Sequence, residues 1–390
     1  MLPLFLIVLV DLIGFGLVIP LLPFYAERFD AAPLTITLLM AAYSFAQFLT
    51  APFWGRLSDR VGRRPVLIAS MAGAIVAYVW LGVAYSLWTL FAARILAGAM
   101  AGNISAAFAY VADVTTPANR AKGMGLIGAA LGLGFIIGPA IGGTLAGSDP
   151  LNADYATPCF LAAVLSTIAL ISTALILKES LSAETRARAA AKRYANPLVQ
   201  FLGGLKREHI AALILLAFMA TFVFAGMEAT FALWSEREFG WGPRQNGYLF
   251  AGVGLLTVGV QGGAIGALAR RFNERSLIVA GGSIFAIGLA LIPLAHDLVT
   301  LVGAMALLAL GFAVFNPSLN SLLSLRAGSE EQGAILGIGR SAAILGRVVG
   351  PAWAGILFAG IGRDWPFLGG AIVMAAAVVV TIVAVKAADR

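Results

Sequence analysis

Two short charged segments, Gly55-Arg-Leu-Ser-Asp-Arg-Val-Gly-Arg-Arg64 and Gly266-Ala-Leu-Ala-Arg-Arg-Phe-Asn-Glu-Arg275, lie 211 positions apart, and each joins two long apolar stretches. A second pair repeats the spacing, because Gly138-Pro-Ala-Ile-Gly-Gly143 returns as Gly350-Pro-Ala-Trp-Ala-Gly355 at an offset of 212. Self-resemblance at one fixed distance means that one unit has been used twice. Among membrane proteins, parallel repeats of this kind mark secondary transporters, whose substrate site lies between the halves near the bilayer midplane. Transport is therefore expected before any chemistry is considered.

Of the 390 residues 60% are hydrophobic and 12% charged, with a mean hydropathy of +0.93. Soluble domains carry about 25% charge, so lipid must solvate most of this chain. A spanning helix needs about 20 mostly apolar residues. Twelve such segments can be placed, at 2–25, 34–54, 65–85, 88–111, 123–146, 155–177, 209–233, 246–268, 276–295, 298–322, 333–358 and 366–386. The expected fold is all-α and integral to the membrane: twelve transmembrane helices in two pseudo-symmetric six-helix bundles, 1–177 and 209–390, joined by a cytoplasmic linker at 178–208. Within the linker, the alanine-rich basic stretch Glu184 to Arg193 suits an interfacial amphipathic helix or a mobile connector.

Positive residues are retained on the cytoplasmic side. With both termini placed there, 19 of the 26 Lys and Arg fall in cytoplasmic segments, four (Arg28, Arg237, Arg244, Arg363) lie opposite, and three (Arg94, Arg340, Arg347) lie within spans. A bacterial-type inner membrane is the expected location. The basic pI near 9.8 does not imply nucleic acid, since the charges sit in short loops with no soluble domain to present them. No cleavable leader is expected, as Met1 opens directly onto an apolar segment. The single cysteine, Cys159, excludes an internal disulfide. No metal-ligand cluster, nucleophile set or G-x-x-x-x-G-K-[ST] phosphate loop is present, and His209 and His296 both fall near span ends. No catalytic residue, metal or cofactor is expected, the proton gradient serving as the energy source. The partners implied are membrane lipid, protons and a small amphipathic substrate, and the chain should be a monomer.

Several positions carry mechanical constraints. Gly55 and Gly62 permit tight turns, Pro65 suits the first turn of the following helix, and Asp59 can face a helix N-terminus or an arginine. Gly134, Gly138 and Gly142 recur every four residues and allow another helix to approach closely, while Pro139 introduces a bend. Arg94 inside hydrocarbon costs about 2.5–3.5 kcal/mol and so needs a partner or a purpose. Asp11 offers one: at 1.5 Å per residue in a core of about 30 Å, the depths of the two differ by roughly 7 Å, within an arginine's reach. Glu228 is the other intramembrane acid. Arg340 and Arg347, seven apart, share a helical face. Three buried cations against two acids would leave a cavity net positive, which suits an anionic or phosphate-bearing amphiphile. Tyr43, Gln47, Asn103, Gln261, Asn316 and Asn320 supply polar groups within spans that could orient a ligand.

Gly55, Leu57, Asp59, Arg60, Gly62, Arg63 and Arg64 match the pattern G-x-L-x-D-R-x-G-R-R/K, and the segment closely resembles the loop 2-3 signature of the major facilitator superfamily. Gly134, Gly138, Pro139, Gly142 and Gly143 resemble the G-x-x-x-G-P-x-x-G-G signature of its drug:proton antiporter branch. The stretch around Asp11, from Val10 to Pro23, resembles the first helix of those antiporters and especially of the tetracycline exporters. Arg94-Ile-Leu-Ala-Gly98-Ala-Met-Ala-Gly102 is similar to the branch's arginine motif. The resemblance implies a proton-coupled antiporter that exports amphipathic small molecules by alternating access. It implies a conformational latch built from Gly55, Asp59, Arg60, Gly62, Arg63, Arg64 and the paired acid Asp113. Asp11 meeting Arg94 in one conformation and not in another would change its proton affinity as the transporter rocks. Glu228 would bind a cationic drug or a second proton. The second-half copy of the loop departs from the pattern, with Arg270 in place of the acid and Asn273 in place of the second glycine, so only the first copy should act as a full latch. The tetracycline exporters carry an acid in helix 3, a histidine in helix 8 and an acid in helix 9, where this chain has Ala77, Thr257 and Phe285. Tetracycline with its metal ion is accordingly not the expected cargo. The alternatives are an exporter or flippase of anionic lipids, lysolipids or metabolites and, from another class, an intramembrane enzyme or a non-transporting sensor.

Overall fold

A computed structural model describes residues 2–186, 208–327 and 332–385. Among the described residues every regular element is helical, and twelve helices are long and apolar enough to cross a membrane. In chain order they are α1 (Pro3–Glu27), α2 (Pro33–Val61), α3 (Arg63–Gly82), α4 (Leu87–Val114), α5 (Gly123–Ala146) and α6 (Ala156–Ile176), then α7 (Ile210–Phe239), α8 (Pro243–Arg271), α9 (Glu274–Leu294), α10 (Leu298–Arg326), α11 (Ile335–Gly360) and α12 (Trp365–Ala384). Each overlies one of the twelve expected segments. The stretch expected to be an amphipathic helix within the linker lies mostly outside the described residues.

The largest departure is in α2, which runs seven residues past its expected end and takes in most of the charged signature. At 1.5 Å per residue its 29 residues span about 43 Å, more than the hydrocarbon core, so its last turns reach water or headgroups and need no apolar side chains. Gly55 therefore sits inside a helix and makes no turn, contrary to expectation, and a Cβ there would meet nothing within 4 Å. Gly62 alone reverses the chain, at φ 112°.

Contacts divide the chain into two compact units. The first comprises Met1–Ala31, Ala42–Tyr194 and Phe239–Gly252, the second Ala32–Ala41, Ala195–Glu238 and Val253–Arg390. In the first, Leu4, Val8 and Leu12 of α1 share a buried cluster with Trp54, Val66, Leu67, Ala107 and Ile127. The glycine row of α5 receives α1 backbone to backbone. A Cβ on Gly138 would stand 2.6 Å from the Gly16 Cα, and one on Gly142 would stand 2.1 Å from the Leu17 carbonyl oxygen. Gly143 is closed off as well, its Cβ position lying 2.5 Å from the Pro243 carbonyl oxygen. Pro20 and Pro23 withdraw backbone donors from α1, which tightens into a 3-10 turn over Ile19–Leu21.

Helix α4 is not continuous. It is helical over Leu87–Ala99 and Asn103–Val114, and residues 100–102 between them loosen into a turn, with Met100 still donating to the Leu96 carbonyl at 2.9 Å. Interrupted backbone is tolerated at membrane depth only where protein or enclosed water satisfies it. Here the Trp54 indole N–H donates to the Ala99 carbonyl at 2.6 Å and the Ser70 hydroxyl donates to the Met100 carbonyl. Close approach depends on two glycines: a Cβ on Gly98 would lie 2.1 Å from the Tyr43 carbonyl oxygen, and one on Gly102 would lie 2.6 Å from the Trp54 ring.

In the second unit α9 packs along α10 and against α12, with Phe285, Phe315 and Phe367 fully buried. The α7 and α11 helices cross where a Cβ on Gly350 would stand 2.2 Å from the Phe222 carbonyl oxygen. A π-helical turn over Val260–Ala264 interrupts the α8 ladder.

Candidate functional site

Asp11 points inward from α1 and is 5% exposed. The Ser166 hydroxyl of α6 donates to its Oδ1 at 3.2 Å. Beside it is a cavity of about 30 Å³ bounded by Asp11, Phe15, Tyr43, Ser70, Tyr78 and the unwound turn at Met100. Tyr43 also carries Arg94 on its ring, the guanidinium carbon lying 4.7 Å from the ring centre. Arg94 is buried, and a desolvated cation–π contact of this kind contributes about 2 kcal/mol. Asp11, Tyr43 and Arg94 all lie close enough to act electrostatically on the buried Tyr78. Residues from α1, α2, α3 and α4 thus converge on one small space inside a single unit, with α6 bonded to its carboxyl through Ser166. A space of that size admits water. A buried carboxyl flanked by hydroxyls and water can take up and release a proton.

The second unit holds a different arrangement. Glu228 on α7 faces Arg347 on α11, Oε2 to Nη2, at 3.8 Å. Glu228 lies six residues, about 9 Å, beyond the α7/α11 crossing at Phe222, whereas Asp11 lies five residues, about 7.5 Å, before the α1/α5 crossing at Gly16. The two acids are therefore not counterparts under the internal repeat, being displaced in opposite senses along their helices. The Asn320 amide donates to the Asn316 side-chain oxygen at 3.0 Å. Arg340 is exposed and Gln47 half-buried, while the Asn103 side chain lies outside the described residues.

At the α2/α3 junction the signature residues form a charge cluster around Arg63. Its Nη1 meets Asp59 Oδ1 at 2.6 Å and the Ser58 hydroxyl at 3.1 Å, and its Nε meets Asp113 Oδ2 at 3.0 Å. Arg64 Nη2 donates to the Ala174 carbonyl at 2.5 Å, while Arg60 is exposed. Sequence reasoning missed Glu179, which follows α6. Its carboxylate accepts from the backbone N–H groups of Arg63 at 2.9 Å and Arg64 at 3.1 Å, capping the positive end of α3. Ser180 adds a hydroxyl bond to Asp113 Oδ2 at 2.9 Å. The only sequence signal was an acid directly after a span, in a stretch read as linker.

The same carboxylate explains why position 62 is glycine, since a Cβ there would lie 2.3 Å from Glu179 Oε2. Gly62→Ala should cost about 1–3 kcal/mol from the backbone conformation alone, and displace the cap besides. Thermal unfolding of purified protein in detergent would show it as a lowered midpoint. Gly55→Ala should leave the midpoint unchanged or raised.

The departures from the tetracycline-exporter pattern also take structural form. Ala77 is 1% exposed, and Phe285 is fully buried with its ring edge to Phe312 at 5.8 Å, so both serve packing. Thr257 turns its hydroxyl back to the Val253 carbonyl at 2.8 Å.

Comparison with known proteins agrees with this architecture. A family model described as the Major Facilitator Superfamily matches residues 4–339 and, overlapping, 237–390. The chain is 33% identical over 361 residues to the class C tetracycline resistance protein of Escherichia coli, covering 92% of this chain and 89% of that one. It is 32% identical over 384 residues to multidrug resistance protein 2 of Bacillus subtilis (strain 168), covering 96% and 92%. Among solved structures, the human organic anion transporter MFSD10 (TETRAN) superposes with a TM-score of 0.73 at 26% identity, covering 97% of this chain and 98% of that one. With twelve candidate spans, a duplicated signature and these relatives along nearly its whole length, the chain belongs to the major facilitator superfamily, as a multi-pass membrane transporter related to tetracycline and multidrug efflux proteins.

Proposed function

We propose that the protein is a proton-coupled antiporter that exports amphipathic small molecules across a bacterial-type inner membrane by alternating access, with both termini cytoplasmic. The observation that carries this reading is the buried Asp11, bonded to Ser166 and facing a small cavity beside the Arg94–Tyr43 stack. Asp11 takes up the proton, and Arg94 supplies the charge against which its affinity changes. Asp59, Arg63 and Asp113 act as the latch. The names of the relatives support efflux as the direction. Proton entry down 100 mV yields about 2.3 kcal/mol per charge, enough to drive export without ATP. Proteoliposomes containing the purified protein test the proposal. A cationic dye such as ethidium should move against its gradient only when a pH gradient is imposed, and should emerge chemically unchanged. Movement indifferent to the pH gradient, or an altered product, would contradict it.

A second reading, transport of organic anions, is favoured by a specific observation. Glu228 is engaged by Arg347, so that of the five charges the sequence places in mid-span, Arg94 and Arg340 outnumber Asp11. The human relative described as an organic anion transporter points the same way. On this reading Arg340→Gln should weaken binding of a sulfonated fluorescent dye at least tenfold, a loss of about 1.4 kcal/mol or more, and leave ethidium binding intact. Equal binding of the anionic dye by both proteins would remove Arg340 from the ligand site.

A further inference from the structure

We propose that the cavity beside Asp11 is a water chamber serving that carboxyl, and that Ser70 and Trp54 are positioning residues that hold it open by fixing the unwound turn of α4. The inference rests on the reading of Asp11 as the coupling acid. It adds a route for the proton that stays inside the first unit.

The chamber has one polar side in a mostly apolar wall. Asp11, Tyr43, Ser70 and Tyr78 line it along with Leu12, Phe15, Ala74 and Met100, and its volume of about 30 Å³ exceeds the ~10–15 Å³ that one water requires. A wholly apolar void of that size would stay dry, whereas the four polar side chains here offer a water the two to four partners it needs. The adjoining turn is held from two directions. Trp54 on α2 and Ser70 on α3 each supply a donor to one of two consecutive carbonyls, Ala99 and Met100. Without Trp54 the Ala99 carbonyl would lose that donor in a low-dielectric interior. Without Ser70 the Met100 carbonyl would keep the Gly102 N–H at 2.8 Å but lose its tie to α3, so residues 100–102 would be freer to wind into the helix. Rewinding would shift Met100 and Ala101, which now bound the chamber. The groups that share Asp11's surroundings are Tyr43 from α2, Tyr78 from α3 and Arg94 from α4, with Ser166 from α6 bonded to it and Cys159 of α6 near Tyr78; α5 meets α1 through Gly134 and Gly138. In the loading step a hydrated proton in the chamber passes to a carboxylate oxygen of Asp11, leaving a neutral acid and a neutral water. Release reverses the step.

Infrared difference spectroscopy of the full chain in lipid vesicles, recorded between acid and neutral pH, tests the inference without any substrate. Asp11→Asn identifies the carboxyl band, and transfer from H₂O to D₂O times its exchange. The wild-type band should shift within the mixing time. Ala74→Leu, whose larger side chain fills the chamber, and Ser70→Ala and Trp54→Phe, which each remove one donor to the turn, should slow the exchange at least tenfold. Ser70→Thr keeps the hydroxyl and should exchange as the wild type does, which separates positioning from a general loss of structure. A clear Asp11 band whose exchange is as fast in Ser70→Ala and Ala74→Leu as in the wild type overturns the chamber while leaving Asp11 as coupling acid. A spectrum with no band that Asp11→Asn removes overturns both.

Discussion

Asp11→Asn should abolish transport against a gradient while leaving the protein folded and able to exchange its cargo downhill. The two side chains have nearly the same shape, and the amide oxygen can still accept the Ser166 hydroxyl, so the packing of α1 against α6 survives. Only the exchangeable proton is lost. One proton moving down 100 mV yields about 2.3 kcal/mol, which supports roughly a 40-fold concentration ratio of a neutral cargo, at 1.4 kcal/mol per tenfold. The variant should let that ratio fall to one in energised proteoliposomes, with binding of the dye retained. Undiminished uphill efflux would remove Asp11 from the coupling step.

Gly142→Val should be the most damaging substitution for folding. At that position even a Cβ would lie 2.1 Å from the Leu17 carbonyl oxygen, and neither partner is a side chain that can rotate away. Overpacking a tight core costs about 1–3 kcal/mol, and a backbone clash with a β-branched residue belongs at or above the top of that range. Loss of most monodisperse protein after detergent extraction is the expected result, with a strongly lowered unfolding midpoint for any that remains. Gly128→Ala is the matched control, being on the same helix with nothing within 4 Å of its Cβ position. It should stabilise by about 0.4–1 kcal/mol if the chain's freedom in the unfolded state is what changes.

The twelve spans were legible because hydrocarbon demands the same length and apolarity of every crossing, and local composition records that demand. The glycine row of α5 was legible for a related reason: residues four apart must share a face, so an approaching helix could be foreseen, though not that it would be α1. The break in α4 was not. No proline marks it, and the donors that catch its carbonyls come from 45 and 30 positions earlier in the chain. Glu179 escaped notice likewise, since its partners lie 116 and 115 positions away and its neighbours read as linker. Gly55 misled because glycine in a charged stretch is also what a turn looks like, and the helix simply continues beyond the lipid. Arg347 meeting Glu228 joins two helices that sequence spacing leaves independent. In each case the missing knowledge was which distant helix would lie alongside.

The contrast between the glycines of α5 and those of α8 bears on how such a transporter adapts. Gly134, Gly138, Gly142 and Gly143 in α5 are each blocked by a neighbouring atom within 3 Å of where a methyl group would go, whereas Gly252, Gly259, Gly262, Gly263 and Gly266 in α8 face open space. Larger side chains can therefore enter residues 252–266 of α8 at little structural cost, whereas residues 134–143 of α5, and Gly247 of α8, whose Cβ position lies 2.3 Å from the Pro139 carbonyl oxygen, cannot take them. Variants with altered cargo should diversify along the one stretch and stay nearly invariant along the other.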